Sequence, residues 1–286
     1  MSHVSRRRFL GGAMGAAAAG YLSRGALELS ADPLGMPIGC QSWPVRDALA
    51  KDFPGTLKQL AGIGFRTLEM CSPPGYATSG FGPLATMKAA EIRQAIEAAG
   101  LRCESSHFQF RELRQSLDDR IAWSKEMGLT QMVLSTFGLP NNASMADWMR
   151  AADELNKIGE QTAKAGIKLG FHNHNFEFQE IDGVLVYDKL MGQLDAKLVK
   201  MQFQVAVVSL GYEAAMYLTK YPGRFLSLHL ADWSAAEKKQ VAIGKGMVDW
   251  VKLFAAAKTG GVKNYFVEMD LDLMKASIPY LHELKA

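Results

Sequence analysis

The sequence predicts a single-domain (β/α)8 barrel, and three observations carry that prediction. Once residues 1–31 are set aside as a leader, the remaining 255 residues match the length of one such barrel and are too few for two comfortable domains. Eight short apolar runs, at 37–43, 65–71, 101–107, 131–136, 167–173, 199–205, 225–230 and 264–269, begin 26 to 39 residues apart. Amphipathic stretches fill the gaps, and this alternation implies parallel strands joined by right-handed crossovers.

The chain opens with Ser5-Arg6-Arg7-Arg8-Phe9-Leu10 and an apolar run over 11–22. That order reads as a twin-arginine export signal cleaved near Ala31, which places the mature protein (32–286) in the periplasm. The run is far shorter than the roughly 20 residues of a spanning helix, so no membrane span is expected after cleavage. The whole chain has 32 basic and 29 acidic residues. Removing Arg6, Arg7, Arg8, Arg24 and Glu28 leaves 28 of each. A mature chain of zero net charge argues against a nucleic-acid partner, because phosphate binding needs a cationic surface.

The first strand run ends in Cys40-Gln41-Ser42-Trp43-Pro44. No glycine-rich dinucleotide turn follows it, which weakens an open doubly wound sheet. The second run, Phe65-Arg66-Thr67-Leu68-Glu69-Met70, carries a carboxylate near its end, and the third ends on His107. Helical patterns follow at 87–99, 117–127 and 144–165, with another at 248–258. Glycines 62 or 64, 100, 128, 166 and 260 or 261 then supply left-handed closing residues before the next strands. Run five ends in His172 and His174, run six in Gln204, run seven in His229 and run eight in Glu268. Cys40, Cys71 and Cys103 all fall in predicted strands and read as free packing thiols.

Active sites of this fold sit where strands end and βα loops begin. Four of the five mature histidines, His107, His172, His174 and His229, fall at such ends, and Glu69 and Glu268 join them. A carboxylate after an apolar strand is costly to bury unless paired or bound to a cation. Imidazoles converging with carboxylates make a divalent metal site the leading expectation. Trp43 is a candidate platform for a sugar ring. His174, Glu177 and Asp232 complete the expected substrate side, Asp232 as a partner for the His229 imidazole or for a substrate hydroxyl.

The motifs Leu68-Glu69-Met70, Phe171-His172-Asn173-His174-Asn175-Phe176-Glu177-Phe178, Leu228-His229-Leu230-Ala231-Asp232 and Val267-Glu268-Met269-Asp270, with the loop from Ile243 to Trp250, resemble the xylose-isomerase-like barrel superfamily. They resemble in particular the exported branch of sugar phosphate isomerases and epimerases. The resemblance implies a divalent metal, Mn, Zn or Co, held from strands five to eight by His172, Gln204, His229 and Glu268. Gln204 stands where aspartate is usual. Its carbonyl can coordinate but brings no charge, and a nitrogen-rich shell shifts preference from magnesium or calcium toward zinc, cobalt, nickel or manganese.

The chemistry implied is proton abstraction next to a carbonyl through an enediolate, that is, a sugar isomerase or epimerase. Glu268 and His172 occupy the places of the two bases in epimerising relatives, with Glu69 and His107 as further catalytic candidates. If a β-substituent leaves instead, the same enediolate makes the protein a lyase or dehydratase of keto-sugars or 3-keto-glycosides. A third alternative is a non-catalytic sugar-binding barrel whose metal site has decayed at Gln204.

Overall fold

The computed structural model describes residues 32–284. The leader read in residues 1–31 lies outside them. Eight parallel strands close into a barrel. They are β1 (Gly39–Gln41), β2 (Thr67–Cys71), β3 (Arg102–Phe108), β4 (Gln131–Leu134), β5 (Lys168–His172), β6 (Val199–Gln204), β7 (Phe225–Leu230) and β8 (Asn264–Val267). Every neighbour pair is parallel, and β8 returns to β1 through Gly39 opposite Phe266. The expected fold is therefore the observed one. β1 is shorter than its apolar run because the chain turns at Ser42 into a single 3-10 turn, Trp43–Val45, that contains Pro44.

The helices follow from pattern and caps. The helix Met145–Lys164 starts at Ser144, whose hydroxyl accepts from the Asp147 N–H at 3.3 Å while the Asp147 carboxylate accepts from the Ser144 N–H at 2.8 Å. Its buried face, Trp148, Ala151, Ala152, Leu155 and Ile158, recurs at three- and four-residue spacing and lies on the barrel wall. Gly166 at φ +80° then turns the chain into β5 in a conformation that a side chain would strain. Gly128 at φ +79° does the same after the helix Leu117–Met127.

Two antiparallel ribbons stand outside the eight-run pattern. Glu180–Ile181 pairs with Val184–Leu185 across Asp182 and Gly183, both at positive φ. Asp182-Gly183 is the usual two-residue hairpin signal, here flanked by strands too short to read. The second ribbon, Asp232–Ser234 with Lys239–Val241, stands directly after β7 at the rim.

Strand side chains alternate between the helix-facing wall and the barrel interior. Ser105 and His107, Gln202 and Gln204, and Ser227 and His229 are therefore successive inward positions, and all six are buried. The interior near the carboxyl ends is polar, whereas the space between strands and helices is filled by side chains such as Phe65, Phe171, Phe203, Phe225 and Tyr265. The three cysteines are free thiols; Cys40 and Cys71 are buried and Cys103 is half-buried. No helix of the described residues is long and apolar enough to cross a membrane.

Candidate active site

His107 of β3, His172 of β5 and His229 of β7 meet at the carboxyl end of the barrel. One ligand nitrogen from each ring lies within 4.8 Å of the others. Ring centroids are 5.0 Å apart for His107 and His229, 5.0 Å for His107 and His172, and 4.4 Å for His172 and His229. Strands three, five and seven are alternate strands, and alternate strands contribute the side chains of one interior layer.

Beneath the cluster lies Glu69, wholly buried. Its Oε1 accepts from Ser105 Oγ at 2.5 Å and Gln202 Nε2 at 2.8 Å; its Oε2 accepts from Gln41 Nε2 at 2.9 Å and lies 2.5 Å from His229 Nε2 and 3.2 Å from His107 Nε2. Burial alone pushes this carboxyl's pKa up, but the charges and hydrogen bonds of His107 and His229 outweigh it and hold the pKa well below the usual range. Gln202 completes the platform, with its Oε1 2.6 Å from His107 Nε2 and its amide also donating to Ser227 Oγ at 2.8 Å.

Glu268 follows β8 on the opposite side of His229. Its Oε2 lies 2.9 Å from His229 Nδ1 and accepts from Gln204 Nε2 at 2.5 Å. Burial raises its pKa, yet the neighbouring His229 brings it below the ordinary value, so the group is ionised at neutral pH. Desolvation opposes charge on His229 as well, but Glu268 and Glu69 push its pKa up to about 10. His229 thus bridges two carboxylates as an imidazolium. His172 behaves oppositely: burial and the adjacent His229 and His174 keep it neutral, its pKa well below the ordinary value. Both of its ring nitrogens are buried without a hydrogen-bond partner.

That orphaned imidazole is the test of whether the residues fit a divalent ion, and they do. A neutral histidine whose buried nitrogens have no geometric hydrogen-bond partner, beside His107, His229 and the carboxylate of Glu268, is a donor set that a transition ion satisfies once it displaces the proton His229 shares with Glu268.

A cleft of about 610 Å³ opens above the cluster, lined among others by Trp43, Tyr76, His107, His174, Gln204 and Glu268. Trp43 and Tyr76 meet edge to face at 5.8 Å and form an aromatic wall, and Arg46 stacks on Trp43 at 4.4 Å. His174 lies against His172 with ring centroids 4.7 Å apart, and burial lowers its pKa to about 4, so it is neutral. Behind it Glu177 is wholly buried, accepts from the His174 N–H at 2.6 Å, and has its pKa pushed up to about 8 by desolvation.

Asp232, expected on the substrate side, is placed elsewhere. Its carboxylate accepts from the backbone N–H of Trp233, Gly244, Gly246 and Val248 and from the Trp250 indole at 2.9 Å. It pins the loop after β7 and does not hydrogen-bond to His229. Gln41, Ser105, Gln202 and Ser227 carry little signal in the sequence, because amides and hydroxyls in apolar strands look like isolated exceptions. Their inward parity with Glu69, His107 and His229 was the available signal. His282 sits apart, its Nδ1 2.6 Å from Asp32 Oδ1.

Comparison with known proteins agrees with this architecture. An inosose dehydratase of Geobacillus thermodenitrificans is 23% identical over 235 residues, 68% of this chain and 78% of that protein. A sugar phosphate isomerase/epimerase from Parabacteroides distasonis superposes with a TM-score of 0.72 at 24% identity, over 86% of this chain and 93% of that one. A probable 3-DHS dehydratase from Bacillus anthracis superposes at 0.65 with 11% identity, over 86% and 98%. At such identities the structural likenesses establish the fold alone. The family model of the xylose isomerase-like TIM barrel matches residues 57–278, and the chain belongs to that family.

Proposed function

We propose that this barrel is a metal-dependent sugar isomerase or epimerase that abstracts the proton next to the carbonyl of a keto-sugar and returns it elsewhere. One observation carries the reading. An ionised carboxylate, Glu268, faces the cleft directly beside the three-histidine cluster, its Oε2 2.9 Å from His229 Nδ1. A bound divalent ion would supply Lewis acidity, polarising the carbonyl and stabilising the enediolate.

The chain's own residues do the rest. Glu268 takes the proton, and Gln204 fixes its orientation by donating to Oε2. Neutral His174, on the cleft wall, is the second group able to accept or return a proton. The aromatic wall of Trp43 and Tyr76 stacks on the sugar ring. Glu69 holds His107 and His229 from below and does not line the cleft.

A second reading, elimination from the same enediolate, is favoured by the inosose dehydratase relatives. Incubation with ketoses, inosose and 3-keto-glucosides in deuterated water separates the two. Deuterium in recovered sugar without loss of a substituent supports isomerisation or epimerisation; release of water or aglycone supports elimination; neither, with a metal-loaded protein, refutes both. The leader adds the proposal that this chemistry is exported, which fusing residues 1–31 to a reporter tests: reporter retained in the cytoplasm would refute it.

A further inference from the structure

We infer that the cleft takes a keto-sugar acid, a ketose that bears a carboxylate besides its carbonyl, and that the guanidinium of Arg46 reads this carboxylate. The inference deepens the proposed function and rests on its placing a ketose in the cleft; its test is a binding measurement that needs no turnover.

Arg46 opens the helix Arg46–Lys51 that follows β1, and it is the one lysine or arginine among the residues lining the cleft. Three contacts fix it there. Its guanidinium lies over the Trp43 indole, 4.4 Å from the ring centroid, and its Nη1 donates to the Trp43 carbonyl oxygen at 2.9 Å. Its stem lies against Gly80 in the loop after β2, where a Cβ would stand 3.0 Å from Arg46 Cγ and 3.2 Å from Cδ. Gly80, at φ +102°, thus leaves the gap that the stem fills.

A guanidinium held flat on a ring has already lost the side-chain freedom that ligand binding would otherwise cost. What it lacks is an anion. None of the ion pairs among the described residues includes Arg46, and no acceptor among them takes its Nε or Nη2 hydrogens. It makes no hydrogen bond to Glu268 or to the histidines, so the substituent it reads is separate from the reacting carbonyl.

A carboxylate suits this receptor better than a phosphate. With Nη1 engaged by a carbonyl, the Nε and Nη2 hydrogens form one remaining edge, two donors that match the two oxygens of a single carboxylate. A phosphate group carries close to two negative charges at neutral pH. Histidines aside, the other ionisable acids and bases among the cleft residues named by their side chains' charge are the carboxylates Glu268 and Asp270, and one guanidinium balances only one charge.

Calorimetric titration of the metal-loaded, full-length protein with D-fructose, D-fructuronate and D-fructose 6-phosphate tests the assignment, because the three ketoses differ only at C6. D-Fructuronate should bind about tenfold or more tighter than D-fructose, as expected of a charged hydrogen-bonded pair, and tighter than the phosphate. Arg46→Met should bring the ratio of D-fructuronate to D-fructose affinity close to one. Arg46→Lys keeps the charge but loses the fork, and should lower the ratio by about threefold or more. Equal binding of the three ketoses, preference for the phosphate, or an unchanged ratio in whichever variant folds would each overturn the assignment. D-Fructuronate bound through Arg46 without exchange of its proton next to the carbonyl would sink the isomerase reading and leave the carboxylate site standing. Exchange of the D-fructose proton without any preference for D-fructuronate would do the reverse.

Discussion

Replacing Glu69 by glutamine should destabilise the protein more than any other isosteric change at the site. The carboxylate is wholly buried and faces Ser105 Oγ and Gln202 Nε2 with one oxygen, and Gln41 Nε2, His229 Nε2 and His107 Nε2 with the other. A glutamine amide placed there turns one oxygen into an NH2, which sets donor against donor at Gln41 and His229 or at Ser105 and Gln202. Two buried donors lose their acceptor, at about 1–3 kcal/mol each, and the His229 imidazolium loses one of its two carboxylates. Breaking a buried ion pair from one side typically costs about 3–5 kcal/mol, which agrees with that range. We therefore expect Glu69→Gln to lose about 4 kcal/mol at pH 7, read from the urea midpoint with an unchanged slope. Because Glu69 has a lowered pKa in the folded state, its contribution is present above the ordinary carboxylate pKa and lost as pH falls; the variant's acid limb should be correspondingly flatter. A loss under about 1 kcal/mol, with a native fold, would refute the view that this carboxylate organises the site.

Glu177 predicts the opposite pH behaviour. Its folded pKa, about 8, lies above the unfolded value near 4.5, so its contribution is complete below about pH 4.5 and declines until pH passes 8. Glu177→Gln should leave stability nearly unchanged at pH 5 and raise it by several kcal/mol, on the order of 3, at pH 9. Equal melting-temperature differences between variant and parent at both pH values would count against a buried neutral acid. Asp232→Asn removes one acceptor from a carboxylate that serves four backbone N–H groups and the Trp250 indole, and should cost about 2–4 kcal/mol. Hydrogen exchange should locate the loss in residues 243–250; protection there equal to that of the parent would show that the loop does not depend on this staple.

The barrel was legible because a strand buried on both faces is a short apolar run, and glycines at 128 and 166 mark where helices stop. That His107, His172, His229, Glu69 and Glu268 converge was legible because a charged or imidazole group ending such a run needs a partner. Which of them touch depends on the stagger between strands, and no single run contains that information. The contacts of Gln204, read as the strand-six ligand, are of this kind: it donates to Glu268 Oε2 and accepts from the Ala206 N–H. Hence Asp232 read as a partner of His229 three residues away, although its actual partners lie up to 18 residues later, in a loop with no periodic pattern. Gln202 stayed invisible for a similar reason, since its partners come from β2, β3 and β7.

The proposed chemistry meets its most direct test in exchange of a ketose α-proton with solvent, followed by NMR in deuterated water for metal-loaded protein and for Glu268→Gln. The account predicts exchange by the parent protein and a loss of about a hundredfold to ten-thousandfold in the variant, the usual contribution of a positioned general base, with both proteins compared at equal metal content. Exchange at the parental rate in Glu268→Gln would contradict it.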